Sequence, residues 1–307
     1  MKKIVVFREP LARQYKAPRF SLTYLFIVLC NLSIVFLPFS FYTSTDGRLW
    51  TTHSTYREQP EVKFQYKSVI VLEATSKTSG QTKEVFVSNL ESLNGQRPES
   101  YRLANVQFNE EDVDLDGKID SCTLEADVPL GEDEPIQSVQ AVLFFDYRVQ
   151  QRVKFDTEAV AYTSVDSSLP LSGFDTTGSL VLRQTNSLGI RDYFSELYSE
   201  ETPLVDTNDL SLASVSDSNI GTILAKYRER NVAVDYVERY PVKSRASSGE
   251  ANTFHLKMKV DVPEQDIIYI PTLVEVLKDG WVKYLSVVVL CWYLVERIKG
   301  FVLKSHL

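Results

Sequence analysis

The residues best suited to chemistry form a short acidic motif in the first half of the sequence. Its members are Asp112, Asp114, Asp116, Gly117 and Asp120. Alternating carboxylates can converge on a hard cation such as Ca²⁺, and the glycine permits the tight turn of such a loop. An EF-hand would need a glutamate at the twelfth position, where Thr123 stands, and strands are predicted on both sides. The motif therefore predicts either a strand-loop-strand calcium site or a polar hairpin turn.

Groups that could catalyse a reaction are sparse elsewhere. The region between the two apolar segments described below has two histidines, His53 and His255, and neither has a recognisable partner for acid-base chemistry. The sequence has no Gly-x-Ser-x-Gly elbow, no glycine-rich phosphate loop and no His-Glu-x-x-His motif. We interpret both histidines as structural or solvated, and we expect no catalytic residue and no small-molecule substrate.

Two apolar segments flank the region that contains these residues. The first segment covers residues 20–42 and contains no charged residue. Its length is sufficient to cross a hydrocarbon core of about 30 Å. A cleaved signal peptide has a similar pattern, but this run is too long, and no small-residue cleavage site follows Pro38. We predict a transmembrane helix. Asn31 is its one strongly polar side chain and is expected to contact another helix or its own backbone.

A second apolar segment lies near the other end of the sequence. The uncharged run Tyr284–Val295 is too short to span, but residues 281–298 would cover about 27 Å as a helix. Lys283 would then extend toward one interface, with Glu296 and Arg297 at the other. We predict a second transmembrane helix over residues 281–298.

Positive charge next to the two segments predicts their orientation, because basic flanks are retained in the cytoplasm. Six basic residues precede the first segment: Lys2, Lys3, Arg8, Arg13, Lys16 and Arg19. Arg297, Lys299 and Lys304 lie at or beyond the end of the second. Residues 1–19 and 299–307 are therefore predicted to be cytoplasmic, and residues 43–280 to form a domain on the opposite side of the lipid bilayer.

This intervening domain is strongly acidic. It carries 39 of the 41 acidic residues and 23 of the 33 basic ones, for a net charge of about −16. Such a surface disfavours binding to nucleic acid or anionic lipid headgroups. Cys122 is its only cysteine, so an internal disulfide framework is excluded and a hydrophobic core must hold the domain together.

Alternating apolar and polar residues predict a mainly-β, sandwich-like domain. The predicted strands cover residues 62–73, 85–87, 101–108, 119–128, 139–149, 153–165, 180–183, 232–237 and 253–262. One helix is predicted at about Ser218 to Glu229, where apolar residues share one face. Residues 164–179 and 202–218 are rich in Ser, Thr and Asp and are predicted to be exposed loops.

Several runs of residues, in order along the chain, carry a resemblance to a known family. They are Tyr56–Gln65, the acidic run Glu110–Asp120, Tyr227–Asn231, Tyr240–Val242, Trp281–Ser286 and Glu296–Lys299. With two terminal spans around one β-rich domain, the chain resembles the transmembrane protein 231 family of the ciliary transition zone. Residues 164–217 show no family pattern, and the glycosylation sequons expected in animal members are absent from the domain.

The resemblance implies a structural subunit of the Meckel syndrome, or tectonic-like, complex at the base of the cilium. Members of this family help to form a diffusion barrier that controls ciliary membrane composition, and they support cilium assembly. The implied partners are other transition-zone membrane proteins. The alternative from the residues is a calcium-dependent adhesion or receptor module built on the acidic motif, while an ectoenzyme is the least supported.

Overall fold

The computed structural model describes residues 18, 21–44, 51–76, 80–131, 134–189, 220–245 and 252–305. The chain divides into two compact units, one of Met1–Thr52 with Thr272–Leu307 and the other of His53–Pro271. The described helices are α1 (Leu22–Ser44), α2 (Glu91–Gln96), α3 (Ile220–Arg228) and α4 (Leu273–Ser305). The described strands are β1 (Ser54–Glu58), β2 (Glu61–Thr75), β3 (Thr82–Ser88), β4 (Asn105–Glu111), β5 (Ser121–Pro129), β6 (Ile136–Val149), β7 (Phe155–Gln184), β8 (Val232–Glu238), β9 (Val242–Arg245), β10 (Thr253–Asp261) and β11 (Gln265–Tyr269).

The unit His53–Pro271 is mainly β, as predicted. Its main sheet has the order β3-β2-β6-β7-β10-β5-β4, with β8 and β9 also paired to β7. All pairs in it are antiparallel except β7 with β10. Strands β1 and β11 form a separate antiparallel pair. The described strands thus form one continuous curled sheet and a small ribbon, rather than the two facing sheets of a sandwich.

The curl of the main sheet brings strands near its two ends together. The Phe64 ring on β2 stacks on the Phe108 ring on β4 with centroids 4.1 Å apart. The segment before β4 also reaches β3, because Phe86 N–H donates to the Ser100 carbonyl and Arg102 N–H donates to the Phe86 carbonyl. Closing the sheet in this way protects edge groups that would otherwise be open to pairing with other chains.

Apolar residues cover both faces of the central strands, which explains the near-continuous apolar runs in β2 and β6. The larger core lies inside the curl and includes Phe145, Phe155 and Phe254. A smaller core lies on the outer face, where Ile223 and Tyr227 of α3 pack in the same cluster as residues of β2, β3 and β6. The predicted helix is confirmed, since its apolar face has a sheet to cover.

One predicted loop is wrong. Residues 164–179 belong to β7, whose buried Leu171 and Phe174 pair with residues of β9. Their polar neighbours resemble loop composition, but a strand with one face in the core needs only alternate apolar residues. The chain does bulge at residues 167–170, between the pairs Ser138–Asp166 and Ile136–Leu171. The other predicted loop, residues 202–218, lies outside the described residues.

The other unit contains α1 and α4. Residues Leu22–Phe41 of α1 are long and apolar enough to cross a membrane, and α1 is the only described helix that meets this criterion. Helix α4 covers the predicted second span and continues to Ser305. Charged residues within residues 281–298 keep it below the same criterion. The apolar part of α1 is consistent with a transmembrane protein. The second membrane span, within α4, stays a prediction.

Candidate functional site

The acidic motif forms the loop between β4 and β5. The carboxylates of Asp112, Asp114 and Asp116 offer oxygen atoms that lie within 4.8 Å of one another. Asp120, the fourth predicted ligand, is not part of this group. The structure therefore brings together three of the four predicted residues in the strand-loop-strand setting expected from the sequence.

These carboxylates already bind backbone groups of their own loop. Asp112 accepts hydrogen bonds from the N–H groups of Leu115 at 2.7 Å and Gly117 at 3.0 Å. Asp114 accepts from Asp116 N–H at 3.2 Å. Leu115 and Gly117 have positive φ angles of 60° and 86°, which explains the glycine at the second position. The side chains thus close the turn, as Asp residues commonly do.

Asp120 anchors the loop to the rest of the unit. Its carboxylate accepts from Val113 N–H and from the Gln59 amide, both at 2.8 Å, and these bonds lower its pKa. Lys118 donates from Nζ to the Gln59 carbonyl at 2.6 Å. Two of the runs that carry the family resemblance therefore meet here, one through Gln59 and the other through Lys118 and Asp120.

The three clustered carboxylates repel one another. The Asp116 N–H lowers the pKa of Asp114, but desolvation and the charges of Asp116, Asp120 and Asp112 outweigh it, so the pKa is raised. A bound divalent cation would relieve this repulsion, and carboxylate oxygens are the ligands that Ca²⁺ prefers. The loop therefore offers three carboxylates as candidate ligands for a divalent cation.

The two histidines of this unit contact polar side chains. His255 Nδ1 lies 2.6 Å from Asp127 Oδ1 on the neighbouring strand, and both side chains are exposed. His53 Nδ1 lies 2.7 Å from Ser187 Oγ. Among the described residues no carboxylate is bonded to His53, so this pair lacks the third group that orients a catalytic base.

A cleft lies beside the acidic loop. Its volume is about 260 Å³, and its lining residues include Glu58, Lys118 and Arg148. Glu58, one of its lining residues, is buried and accepts hydrogen bonds from the N–H groups of Gln150 and Gln151 at 3.1 Å. Its carboxylate therefore holds the β6–β7 turn in place.

Another buried carboxylate was not anticipated from the sequence. Glu134 accepts hydrogen bonds from Arg102, Lys83 and Gly131 N–H and is only 7% exposed. Arg102 contributes most to lowering its pKa, which falls to about 2. Glu134 stands in an acidic stretch that ends at Pro135, outside every predicted strand. No local pattern would have revealed its role.

In the helical unit, Asn31 contacts the other helix, which was one of the two expected outcomes. Lys299 Nζ donates to Asn31 Oδ1 at 2.5 Å and also to Glu296 Oε1 at 3.0 Å. Tyr284 Oη donates to the Val35 carbonyl at 3.0 Å. Polar contacts therefore link α1 and α4 at two points.

Comparison with known proteins decides the family. A family model described as Transmembrane protein 231 matches residues 1–307. The chain belongs to this family. Transmembrane protein 231 of Xenopus tropicalis is 28% identical over 307 residues, covering 98% of this chain and 93% of the relative. The Bos taurus and Homo sapiens proteins of the same name are 27% and 26% identical over 305 residues, each covering 98% of this chain and 92% of the relative.

A cryo-EM structure of a proton-activated chloride channel covers 90% of this chain and 97% of its own, at 8% identity. The TM-score of this match is 0.27.

Several residues in the runs that resemble the transmembrane protein 231 family have structural roles. The Tyr56 ring lies edge-on to Tyr269, and its hydroxyl accepts a hydrogen bond from Val153 N–H at 3.3 Å. The buried Tyr227 hydroxyl donates to the Val234 carbonyl and accepts from Val234 N–H, at 2.8 and 2.7 Å. These contacts stabilise the fold of the β-rich unit.

Proposed function

We propose that this chain is a non-enzymatic structural subunit of the membrane complex at the ciliary transition zone. In this role it contributes to the diffusion barrier that controls ciliary membrane composition and to cilium assembly. The observation that carries the proposal is membership of the transmembrane protein 231 family over all 307 residues.

The proposed subunit is anchored by two helices, with both termini in the cytoplasm and the acidic β-rich unit on the other side. Helix α4 has 33 residues, about 50 Å at 1.5 Å per residue, which exceeds the thickness of the hydrocarbon core. Its contacts with α1 through Tyr284 and Lys299 support a position beside α1 in the bilayer. The basic flanks supply the orientation.

The partners proposed for this subunit are other transition-zone membrane proteins. Residues 43–280 carry a net charge of about −16, which favours proteins with basic surfaces over nucleic acid or anionic lipid headgroups. Assembly through folded surfaces and helices needs no cofactor and no small-molecule substrate.

Localisation of a fluorescently tagged chain in ciliated cells tests this proposal. We expect a ring at the ciliary base, distal to the basal body, and loss of that ring when α1 is replaced by a signal peptide that is cleaved. A uniform signal over the plasma membrane would contradict the transition-zone role and would favour an adhesion or receptor protein.

A second candidate function is a calcium-dependent adhesion or receptor module. The convergence of Asp112, Asp114 and Asp116 and the raised pKa of Asp114 favour it. In this alternative, calcium at the β4–β5 loop would control binding of an extracellular partner. Calcium-dependent clustering of cells that display the chain on the plasma membrane would support it, and no change on chelation would argue against it.

A further inference from the structure

The closure of the curled sheet protects only part of its edges. Strand β3 pairs with residues 69–75 in the second half of β2, whereas residues 61–65 in the first half have no described strand on that side. At the other end of the sheet order, β4 pairs only with β5 among the described strands. No backbone hydrogen bond between described residues joins β4 to the first half of β2. Two strand edges with unpaired backbone groups therefore occur in the same unit.

These two edges lie close together. The stacked rings of Phe64 on β2 and Phe108 on β4 connect them. Beside the acidic loop, the side chain of Gln59, just before β2, donates to Asp120, just after the loop that follows β4. The two strands are therefore held near each other by side chains, while their backbones are not paired.

Strand β3 shows what fills the same gap farther along β2. It lies between β2 and the segment that leads into β4. On the side of that segment, Phe86 N–H donates to the Ser100 carbonyl and Arg102 N–H donates to the Phe86 carbonyl, both at 2.8 Å. In this part the gap thus spans two strand spacings, about 10 Å, and one strand fills it.

Strand β3 ends partway along the gap. Its last residue is Ser88, and the side chain of Asn89 then bonds to the Tyr66 carbonyl and the Ser68 N–H of β2. The remaining gap is a slot between residues 61–65 of β2 and β4. It can hold about five residues of extended chain, which cover roughly 17 Å.

Side chains of β4 are exposed to this slot. Leu124 and Ala126 on β5 are fully buried in the core. Their partners on β4, Phe108 and Val106, lie on the same face of the sheet, yet Phe108 is only partly buried and Val106 is 40% exposed. On β2, Tyr66 is 70% exposed. Burial decreases from β5 to β4 because β4 has no described neighbour on its other side.

The walls of the slot determine the kind of molecule that fits. Unpaired N–H and C=O groups on two neighbouring strand edges are satisfied together by an extended polypeptide, as β3 does in the adjoining part. The rings of Phe64 and Phe108 favour apolar side chains on the inner face of that polypeptide. Near the acidic loop, Glu110 is exposed on the same face of β4 as Phe108, and Glu111 is exposed beside it, so basic side chains are favoured there.

We propose that the slot binds an extended segment of a partner protein, which adds one strand between β2 and β4 in line with β3. The segment has alternating apolar residues and a Lys or Arg near Glu110. The inference goes beyond the proposed function because it specifies a docking surface. The slot lies wholly within the β-rich unit, so the inference does not depend on membrane topology or on location in the cell.

The test measures binding of a fluorescent peptide, Val-Lys-Val-Lys-Val-Lys-Val, to the full-length chain in phosphatidylcholine nanodiscs by fluorescence anisotropy, with empty nanodiscs as the blank. Two further peptides carry N-methyl groups, one on the valine amides and the other on the lysine amides. Successive N–H groups of an extended chain point to opposite sides, and an inserted strand uses both sides. We therefore expect each methylated peptide to bind about tenfold more weakly than the unmodified peptide.

A change of charge tests the acidic end of the slot. E110K should weaken binding of the Val-Lys peptide about tenfold and strengthen binding of a Val-Glu peptide, since attraction becomes repulsion for the first and the reverse for the second. The gain for the second peptide shows that the variant is folded. The matched control is E73K, which should change neither affinity, because Glu73 is also an exposed strand residue but lies where β2 already pairs with β3.

Three results would overturn the inference. Equal binding of the three Val-Lys peptides would indicate attraction of charge without strand addition. Full binding of one methylated peptide would place the segment on a single edge rather than between two. No binding of the unmodified peptide would exclude the partner segment, and self-association of the chain that E110K abolishes would then identify a second copy as the occupant.

Discussion

Individual carboxylates have two structural roles in the β-rich unit. Glu134 and Glu58 are buried and bind several donors, so they hold neighbouring segments of the sheet together. Asp112, Asp114 and Asp116 lie at the surface and bind the backbone of their own loop. The sequence predicted the role of the three aspartates in the loop turn, because these residues lie close together along the chain. It could not predict the role of the buried Glu134, because the partners of Glu134 lie at distant positions in the chain.

Calcium should stabilise the β4–β5 loop, because a divalent cation offsets repulsion among three clustered carboxylates. We expect millimolar calcium to raise the thermal midpoint of the full-length chain by a few degrees relative to chelator. D114N should abolish this increase, while D266N, which removes a charge from an exposed ion pair elsewhere, should preserve it. The same midpoint with calcium and with chelator would show that the loop is only a turn.

Glu134 should make the stability of the β-rich unit dependent on pH in the acid range. Its pKa is about 2 in the folded unit against an ordinary 4.5, so the stabilisation is complete above pH 4.5 and is lost as pH falls toward 2. At pH 7, we expect E134Q to cost about 2 kcal/mol. That corresponds to roughly 4–8 °C in thermal midpoint, measured by circular dichroism.

The difference between the unmodified chain and E134Q should shrink as the pH is lowered from 4.5. E125Q is the matched control, because Glu125 forms an ion pair with Lys257 in which both side chains are half exposed. Such pairs contribute about 0–1 kcal/mol. Equal midpoints for E134Q and E125Q at pH 7 would contradict the assigned role of Glu134.

At the scale of elements, periodicity predicted those strands and helices whose burial follows a simple pattern. Strand β2 alternates and then becomes continuously apolar where α3 covers its outer face, and both features were readable in the sequence. Strand β7 was only partly predicted, because residues 164–179 are mostly small and polar. The short strands β1, β9 and β11 were not predicted.

Gly178 tests how closely β7 and β8 pack. A Cβ atom at this position would lie 2.6 Å from the Val237 carbonyl oxygen and from the Tyr236 ring, and the backbone atom cannot move aside easily. We expect G178A to destabilise the unit by about 1–3 kcal/mol. Its thermal midpoint would show this as a fall of several degrees.

The control for this change is G221A on α3, where nothing lies within 4 Å of the added carbon. Alanine favours helix over glycine by about 1 kcal/mol, so this variant should be as stable as the unmodified chain or more stable. A G178A variant with the stability of G221A would contradict the close packing of β7 against β8.

At the scale of the whole molecule, the sequence revealed the family and the mainly-β character of the acidic unit. The family was recognisable because its runs, such as Tyr56–Gln65 and Tyr227–Asn231, occur in order along the chain. The single curled sheet was not predictable, because it depends on the contact of Phe64 with Phe108 across strands distant in the sheet order. The second span is also difficult to predict from composition, because Lys283, Glu296 and Arg297 interrupt its apolar run.

Glycosylation mapping tests the two-span topology, which is the central claim. G80N creates an Asn-Gln-Thr acceptor site in an exposed turn, where the φ of +67° suits asparagine and nothing lies within 4 Å. A second version carries an acceptor site on a flexible tail added after Leu307. Expression in microsomes should give glycosylation of the G80N chain and none of the tail. Glycosylation of the tail, or none of the G80N chain, would contradict the account.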